Sequence, residues 1–264
     1  MNVFNPKLFE KKHVFITGGS SGINLRVAER FAEAGAKVSI IARNPEKLAA
    51  AEQQLSKLGP AKGYSVDVRD FPKMTEAFEI AHREFGPVDV LVCGAAGNFP
   101  APAAMMSPNG FRSVLEIDTL GTFHACKAAF DHLTKPGGVI LSISAPQASV
   151  PYPMQSHVCA AKAGVDMITR TLAFEWGGLG IRVNSISPGP IDDTEGMSRL
   201  APDESARDKV SKLVPLQRFG TKDDVANLAL FLSSDAASYC TGGVYSVDGG
   251  MQLLGGGMMT AMMS

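Results

Sequence analysis

An excess of charge of either sign, metal-type residue clusters and long apolar runs are all missing from this chain. Its 25 Lys and Arg against 26 Asp and Glu leave a net charge of -1 over 264 residues. No general pull toward nucleic acid or an anionic membrane follows, and partners must be sought at individual sites. The four cysteines, Cys93, Cys126, Cys159 and Cys240, stand far apart without C-x-x-C spacing and apart from the histidines. That pattern excludes a recognisable metal site and fits reduced, buried thiols in a cytoplasmic protein. The opening MNVFNPKLFEKK has no apolar core segment of the export type. No run of about 18 apolar residues occurs either, so no membrane span is expected. The closing GGGMMTAMMS is apolar but too short to span, and reads either as a flexible tail or as a subunit contact.

What is present is a regular alternation of short β-branched runs with helical periodicity, from one end to the other. Strands are predicted at His13 to Thr17, Lys37 to Ile41, Tyr64 to Val66, Val88 to Val92, Gly138 to Ile143, Arg182 to Ile186 and Val244 to Val247. The first helix is expected from Gly22 to Ala34, with Gly35 ending it. This is the pattern of an α/β fold, a Rossmann-type doubly wound parallel sheet of about seven strands with helices on both faces, in a single domain over 1–264. The long irregular stretch after Pro188 follows a strand's carboxyl end, where such sheets bind ligands. It carries Met197, Leu200 and Ala201 among charges, so 190–213 reads as a substrate lid, with a plain surface excursion as the alternative.

Directly after the first strand comes Thr17-Gly18-Gly19-Ser20-Ser21-Gly22-Ile23-Asn24, and the helical pattern starts there. Small residues at a strand-to-helix turn let backbone N–H groups approach a pyrophosphate at a helix N-terminus. A dinucleotide site is therefore expected. In an NAD site a carboxylate usually ends the second strand to hold the ribose hydroxyls. Here that end reads Ile41-Ala42-Arg43-Asn44, and the carboxylate is replaced by a guanidinium. Arg43, with Ser20 as a helper, suits a 2′-phosphate, so the expected cofactor is NADP(H). Asp67, ending the third strand, is read either as acceptor for the adenine amino group or as a helix cap.

At this point the chain resembles the short-chain dehydrogenase/reductase family over its whole length. The resemblance is carried by TGGSSGI at 17–23, VDV at 66–68, DVLVCGAAG at 89–97, IRVNSISPGPI at 181–191 and TGGVYSVDGG at 241–250. It implies cofactor contacts from Gly18, Ser20, Ser21, Gly22, Ile23, Asp67, Val68 and Ala95, with Lys162 beneath the nicotinamide ribose. Pro188, Gly189, Ile191 and Thr194 are implied on the nicotinamide side. It also implies a homo-oligomer, read as a homotetramer with a dimer left open.

The departures narrow the resemblance. Four residues before Lys162, where most members carry a tyrosine, stands Val158. The usual serine falls at Ala145 with Ser144 just before it, and the usual asparagine is Asp118. The 2,4-dienoyl-CoA reductases, which lack that tyrosine, are similar in AAGNFPAP at 95–102, EIDTLGTF at 116–123, AFEWG at 173–177 and PGPIDDTEGMSRL at 188–200. Their peroxisomal branch is nearest, with aspartate and histidine matching Asp118 and His157. The chain nevertheless ends Met-Met-Ser without an S-K-L address, and a cytoplasmic location is expected.

The resemblance implies NADPH-dependent reduction of an enoyl or 2,4-dienoyl-CoA thioester, with Lys162, Asp118, Asn98 and Ser144 as catalytic residues. Two alternatives stay open. One is an oxidoreductase on another carbonyl, alcohol or alkene, with Tyr152, His157 or water as acid; the other is a non-catalytic NADP(H) sensor. Ser144 is read equally as a group satisfying the strand end, and His157, five residues from Lys162, as a structural or rim residue.

Overall fold

Strand β1 (His13–Thr17) is buried at every position, and its side chains alternate between two cores. Val14 and Ile16 pack into one apolar cluster, whereas Phe15 enters the other, stacked on Phe78 with ring centroids 4.0 Å apart. A strand covered on both faces reads as a continuous apolar run, and HVFIT is one. The computed structural model describes residues 4–194, 197, 201 and 203–256.

In chain order the elements continue as α1 (Gly22–Glu33), β2 (Lys37–Ala42), α2 (Pro45–Leu55), β3 (Ala61–Ser65), α3 (Phe71–Phe85) and β4 (Val90–Cys93). Then come α4 (Pro108–Leu115), α5 (Gly121–Ala129), β5 (Val139–Ile143), α6 (Ser156–Trp176) and β6 (Arg182–Pro188). The described part ends with α7 (Glu204–Leu213), α8 (Lys222–Ser233), β7 (Val244–Val247) and a short 3₁₀ segment, Met251–Gly256. Seven strands form one sheet in the order β3-β2-β1-β4-β5-β6-β7, and every pairing is parallel. The chain leaves β1 in one direction and returns past it to β4. That reversal opens a crevice beyond the carboxyl ends of β1 and β4, where ligands bind in such sheets.

Several element boundaries differ from expectation by one to three residues, and the shifts at the starts of β3 and β4 have a clear cause. Strand β3 runs Ala61–Ser65 and not Tyr64–Val66, because pairing with Val38 through Ala42 recruits Ala61, Lys62 and Gly63, residues of poor strand propensity. Strand β4 begins at Val90; Val88 makes only an isolated bridge to Leu133. No helix among the described residues is long and apolar enough to cross a membrane, and no cluster there could hold a metal ion. The tail from 257 onward, and Leu200 of the expected lid, lie outside the described residues.

Candidate active site

The turn between β1 and α1 forms one wall of a cleft of about 640 Å³, lined by Gly18, Ser20, Ser21, Asn24, Arg43, Val68, Ala95 and Ile117 among others. Two ties hold its floor together. Thr17 Oγ1 accepts from the N–H groups of Gly94 (3.0 Å) and Ala95 (3.3 Å), and Asn24 Nδ2 donates to the Gly94 carbonyl at 2.7 Å. Ser21 caps α1 without spending its hydroxyl on the backbone. Gly22, at φ +61°, has nothing within 4 Å of where a Cβ would stand, so the helix N-terminus is open to a ligand. These features fit a dinucleotide pyrophosphate. Gly18 is stricter, since its φ is +70° and a Cβ there would lie 2.9 Å from the Ala95 backbone. Gly18→Ala should cost about 1–2 kcal/mol from the left-handed conformation alone. A thermal melt should show a loss of several degrees, together with weakened dinucleotide binding. An unchanged melting temperature would mean that the turn relaxes.

At the far end of the cleft, Arg43 follows β2 with its side chain 59% exposed, and its Nη1 lies 3.9 Å from Asp67 Oδ2. The cap role left open for Asp67 belongs instead to Asp70, whose carboxylate accepts from the Lys73 N–H at the start of α3. Asp67 is engaged by Arg69, which donates from Nε to Oδ1 at 3.0 Å and from Nη2 to Oδ2 at 2.6 Å. That pairing holds the Asp67 carboxyl below the usual carboxylate range despite partial burial.

The ionic centre sits where α6 crosses the helix that contains Asp118. Between α4 and α5 the helix passes through a π-helical turn, Glu116–Leu120, and Asp118 is on that turn. Such turns commonly mark functional sites because they re-aim one side chain. The turn is clamped to α6: Thr119 Oγ1 donates to the Ala161 carbonyl at 3.0 Å, and a Cβ on Gly164 would fall 2.8 Å from the Thr119 methyl. Lys162 Nζ donates to the Ile143 carbonyl at 3.0 Å and stands 3.1 Å from Asp118 Oδ2. The second contact is an ion pair without hydrogen-bond alignment, so Oδ2 is left with no aligned donor. Asp118 Oδ1 accepts from the Gly97 N–H at 2.7 Å, which fixes the loop carrying Asn98 and Phe99. Both side chains are buried, Asp118 completely. Since desolvation offsets most of the attraction in such a pair, its presence is weak evidence for a stabilising role.

Val158 is buried one helical turn before Lys162 on the same face of α6. Ser144 does not satisfy the strand end through its side chain: its N–H donates to the Ile186 carbonyl, and its buried Oγ has no partner among the described residues. His157 is not a rim residue; it is completely buried against Phe99, ring centroids 4.5 Å apart, with neither ring nitrogen partnered among the described residues. Asn98 is exposed in the loop after β4. Tyr152 is half-buried, and burial followed by the charge of Asp248 pushes its phenol up, so it stays protonated near neutrality. Ile23 flanks the turn on α1 and Ile191 is buried just after β6. Pro188 ends β6, the Gly189 N–H donates to the Val247 carbonyl, and Thr194 Oγ1 donates to the Ile191 carbonyl at 2.8 Å. Asp248, which sequence reasoning passed over, is brought against Gly189: a Cβ there would lie 2.6 Å from the Asp248 Cα. The only signal was its place at the carboxyl end of β7.

With this geometry in hand, comparison with known proteins is informative. A family model described as Enoyl-(Acyl carrier protein) reductase matches residues 18–252. The chain is 42% identical over 257 residues to the peroxisomal 2,4-dienoyl-CoA reductase SPS19 of Saccharomyces cerevisiae, covering 96% of this chain and 88% of that protein. It is 44% identical over 260 residues to the peroxisomal 2,4-dienoyl-CoA reductase of Pongo abelii, covering 96% and 87%. Among solved structures, a short chain dehydrogenase from Bacillus anthracis superposes with a TM-score of 0.82 at 38% identity, covering 91% of this chain and 96% of that one. The expected cytoplasmic location is corrected by these relatives, both reductases being named as peroxisomal. Likeness of this extent means that the chain belongs to the short-chain dehydrogenase/reductase family, as an oxidoreductase of the 2,4-dienoyl-CoA reductase group that uses a nicotinamide cofactor.

Proposed function

We propose that the protein reduces 2,4-dienoyl-CoA thioesters, or a closely related enoyl thioester, at the expense of NADPH. The observation that carries this reading is the buried Lys162–Asp118 pair with Val158, and no acid, one turn before the lysine. Carbonyl reduction leaves an alkoxide, which a positioned acid must protonate, and valine cannot donate. A conjugated thioester takes hydride at the carbon far from the carbonyl and spreads the charge into a dienolate, so it needs positive potential first and a proton on carbon later. The names of the relatives support the same substrate class.

The nicotinamide supplies the hydride when bound. Lys162 provides positive charge beside the reacting carbons, and Asp118 fixes its position through the 3.1 Å contact. The absence of an aligned donor to Asp118 Oδ2 among the described residues supports a role for this oxygen in holding the water that delivers the proton. Through Gly97 the same carboxylate sets the loop bearing Asn98, which orients the thioester, and Ser144 Oγ is free to donate to it. The segment 190–213 acts as the lid: Met197 and Ala201 are buried, and Arg207 Nη2 donates to Asp192 Oδ1 at 2.6 Å. An apolar groove lined by Phe111, Leu115, Leu120, Phe123 and Ile168, together with a 92% exposed Phe174 elsewhere on α6, supports self-association, read as a homotetramer. Loss of NADPH absorbance on adding a trans-2,trans-4-dienoyl-CoA, with the product two hydrogens heavier, tests the reading. No consumption with any enoyl thioester would overturn it.

Arg43 supports the choice of NADPH. Arg43→Ala should weaken NADPH binding by about 1.5–3 kcal/mol, the contribution of one charge-assisted contact, and leave NADH binding nearly unchanged. Calorimetric titration of both cofactors checks it. Equal affinity of the unmodified protein for NADH and NADPH would remove the NADP assignment.

A further inference from the structure

Asp67 presents a difficulty for a site that takes a 2′-phosphate. Its carboxylate is 3.9 Å from the Arg43 guanidinium, close enough to compete with a phosphate for that cation. The structure shows how the difficulty is met. Arg69, two residues on, closes a two-point fork on Asp67, Nε to Oδ1 and Nη2 to Oδ2, and its own backbone N–H donates to Oδ1 at 3.0 Å. Forked arginine–carboxylate pairs are the strongest of the surface ion pairs because both oxygens are held in plane. With both oxygens taken, Asp67 has only a long contact left for Arg43, which stays 59% exposed beside the cleft.

We propose that Arg69 is a specificity-determining positioning residue: by neutralising Asp67 it keeps Arg43 available for the cofactor's 2′-phosphate. Arg69 acts through Asp67 and does not itself touch the phosphate. The inference rests on the NADPH reading above and adds the device that makes it compatible with a nearby carboxylate. In the absence of Arg69, Asp67 would draw Arg43 into its own ion pair. NADH, which lacks that phosphate, would be indifferent to the change.

The test is calorimetric binding of NADPH and NADH to the full-length protein, to Arg69→Gln and to the double variant Asp67→Asn with Arg69→Gln. The Arg69 side chain is 41% exposed, so its replacement should not unfold the chain, and circular dichroism verifies this. Arg69→Gln should bind NADPH about tenfold more weakly, with NADH changed by less than about twofold. The double variant should regain NADPH affinity to within about threefold of the unmodified protein, because asparagine keeps an acceptor oxygen but carries no charge. A general loosening of the loop would weaken both cofactors and would not be rescued. If the unmodified protein prefers NADPH and Arg69→Gln keeps that preference, the inference is overturned and the NADPH reading survives. If the double variant binds NADPH as weakly as the single one, Arg69 meets the phosphate itself and the proposed route through Asp67 is wrong. Equal binding of both cofactors by the unmodified protein overturns the NADPH reading first and this inference with it.

Discussion

Lys162→Ala is expected to lower turnover by about 10²–10⁴-fold, the range for loss of one positioned catalytic group. The lysine has two anchors, the Ile143 carbonyl and Asp118 Oδ2, and both lie out of water. Its removal therefore withdraws positive charge from the reacting carbons and also leaves Asp118 buried without a counter-charge, a loss that can reach about 3–5 kcal/mol of stability. Asp118→Asn separates the two effects. Asparagine retains an oxygen for the Gly97 N–H and so keeps the loop in place, but it no longer holds Lys162 electrostatically. A large fall in kcat with nearly unchanged NADPH affinity is expected. The double variant should be far less damaged than the product of the two single effects, because residues that act as a unit are not additive. Full activity of Asp118→Asn across the pH range would make the aspartate a structural variant and move the proton path elsewhere.

Much of this arrangement is legible in the amino-acid sequence. The turn at 17–24 could be read because small residues between an apolar run and a helical period have few other uses, and Gly18 and Gly22 take the positive φ angles that such a turn demands. The resemblance names Lys162 and Asp118 for one site, and the structure brings them to 3.1 Å. The π-helical turn that aims Asp118 was not legible. It is a consequence of how α6 approaches, through Gly164 and the Thr119 hydroxyl, and local propensity carries no trace of it. The start of β3 was missed for the same reason, since Ala61 to Gly63 become strand only by pairing with β2. Of the structural and rim roles open for His157, burial beneath Phe99 from the loop after β4 favours the structural one, and the helical offset alone could not choose between them. The Asp67–Arg69 fork, two residues apart across a turn, has no periodic signature at all.

Substrate class carries the central claim, and steady-state kinetics measure it most directly. Saturating NADPH is offered with a trans-2,trans-4-dienoyl-CoA, a β-ketoacyl-CoA and simple ketones in parallel, and kcat/KM is compared. A ketone must be protonated on oxygen as hydride arrives, and the place one turn before Lys162, where that acid would stand, is occupied by buried Val158. The dienoyl thioester needs only stabilisation of a spreading negative charge near Lys162, followed by a slower proton on carbon. The account predicts that the dienoyl thioester is reduced faster by about 10²-fold or more, the contribution of the acid that the ketone lacks. Faster turnover of the β-ketoacyl thioester or of any simple ketone would contradict it.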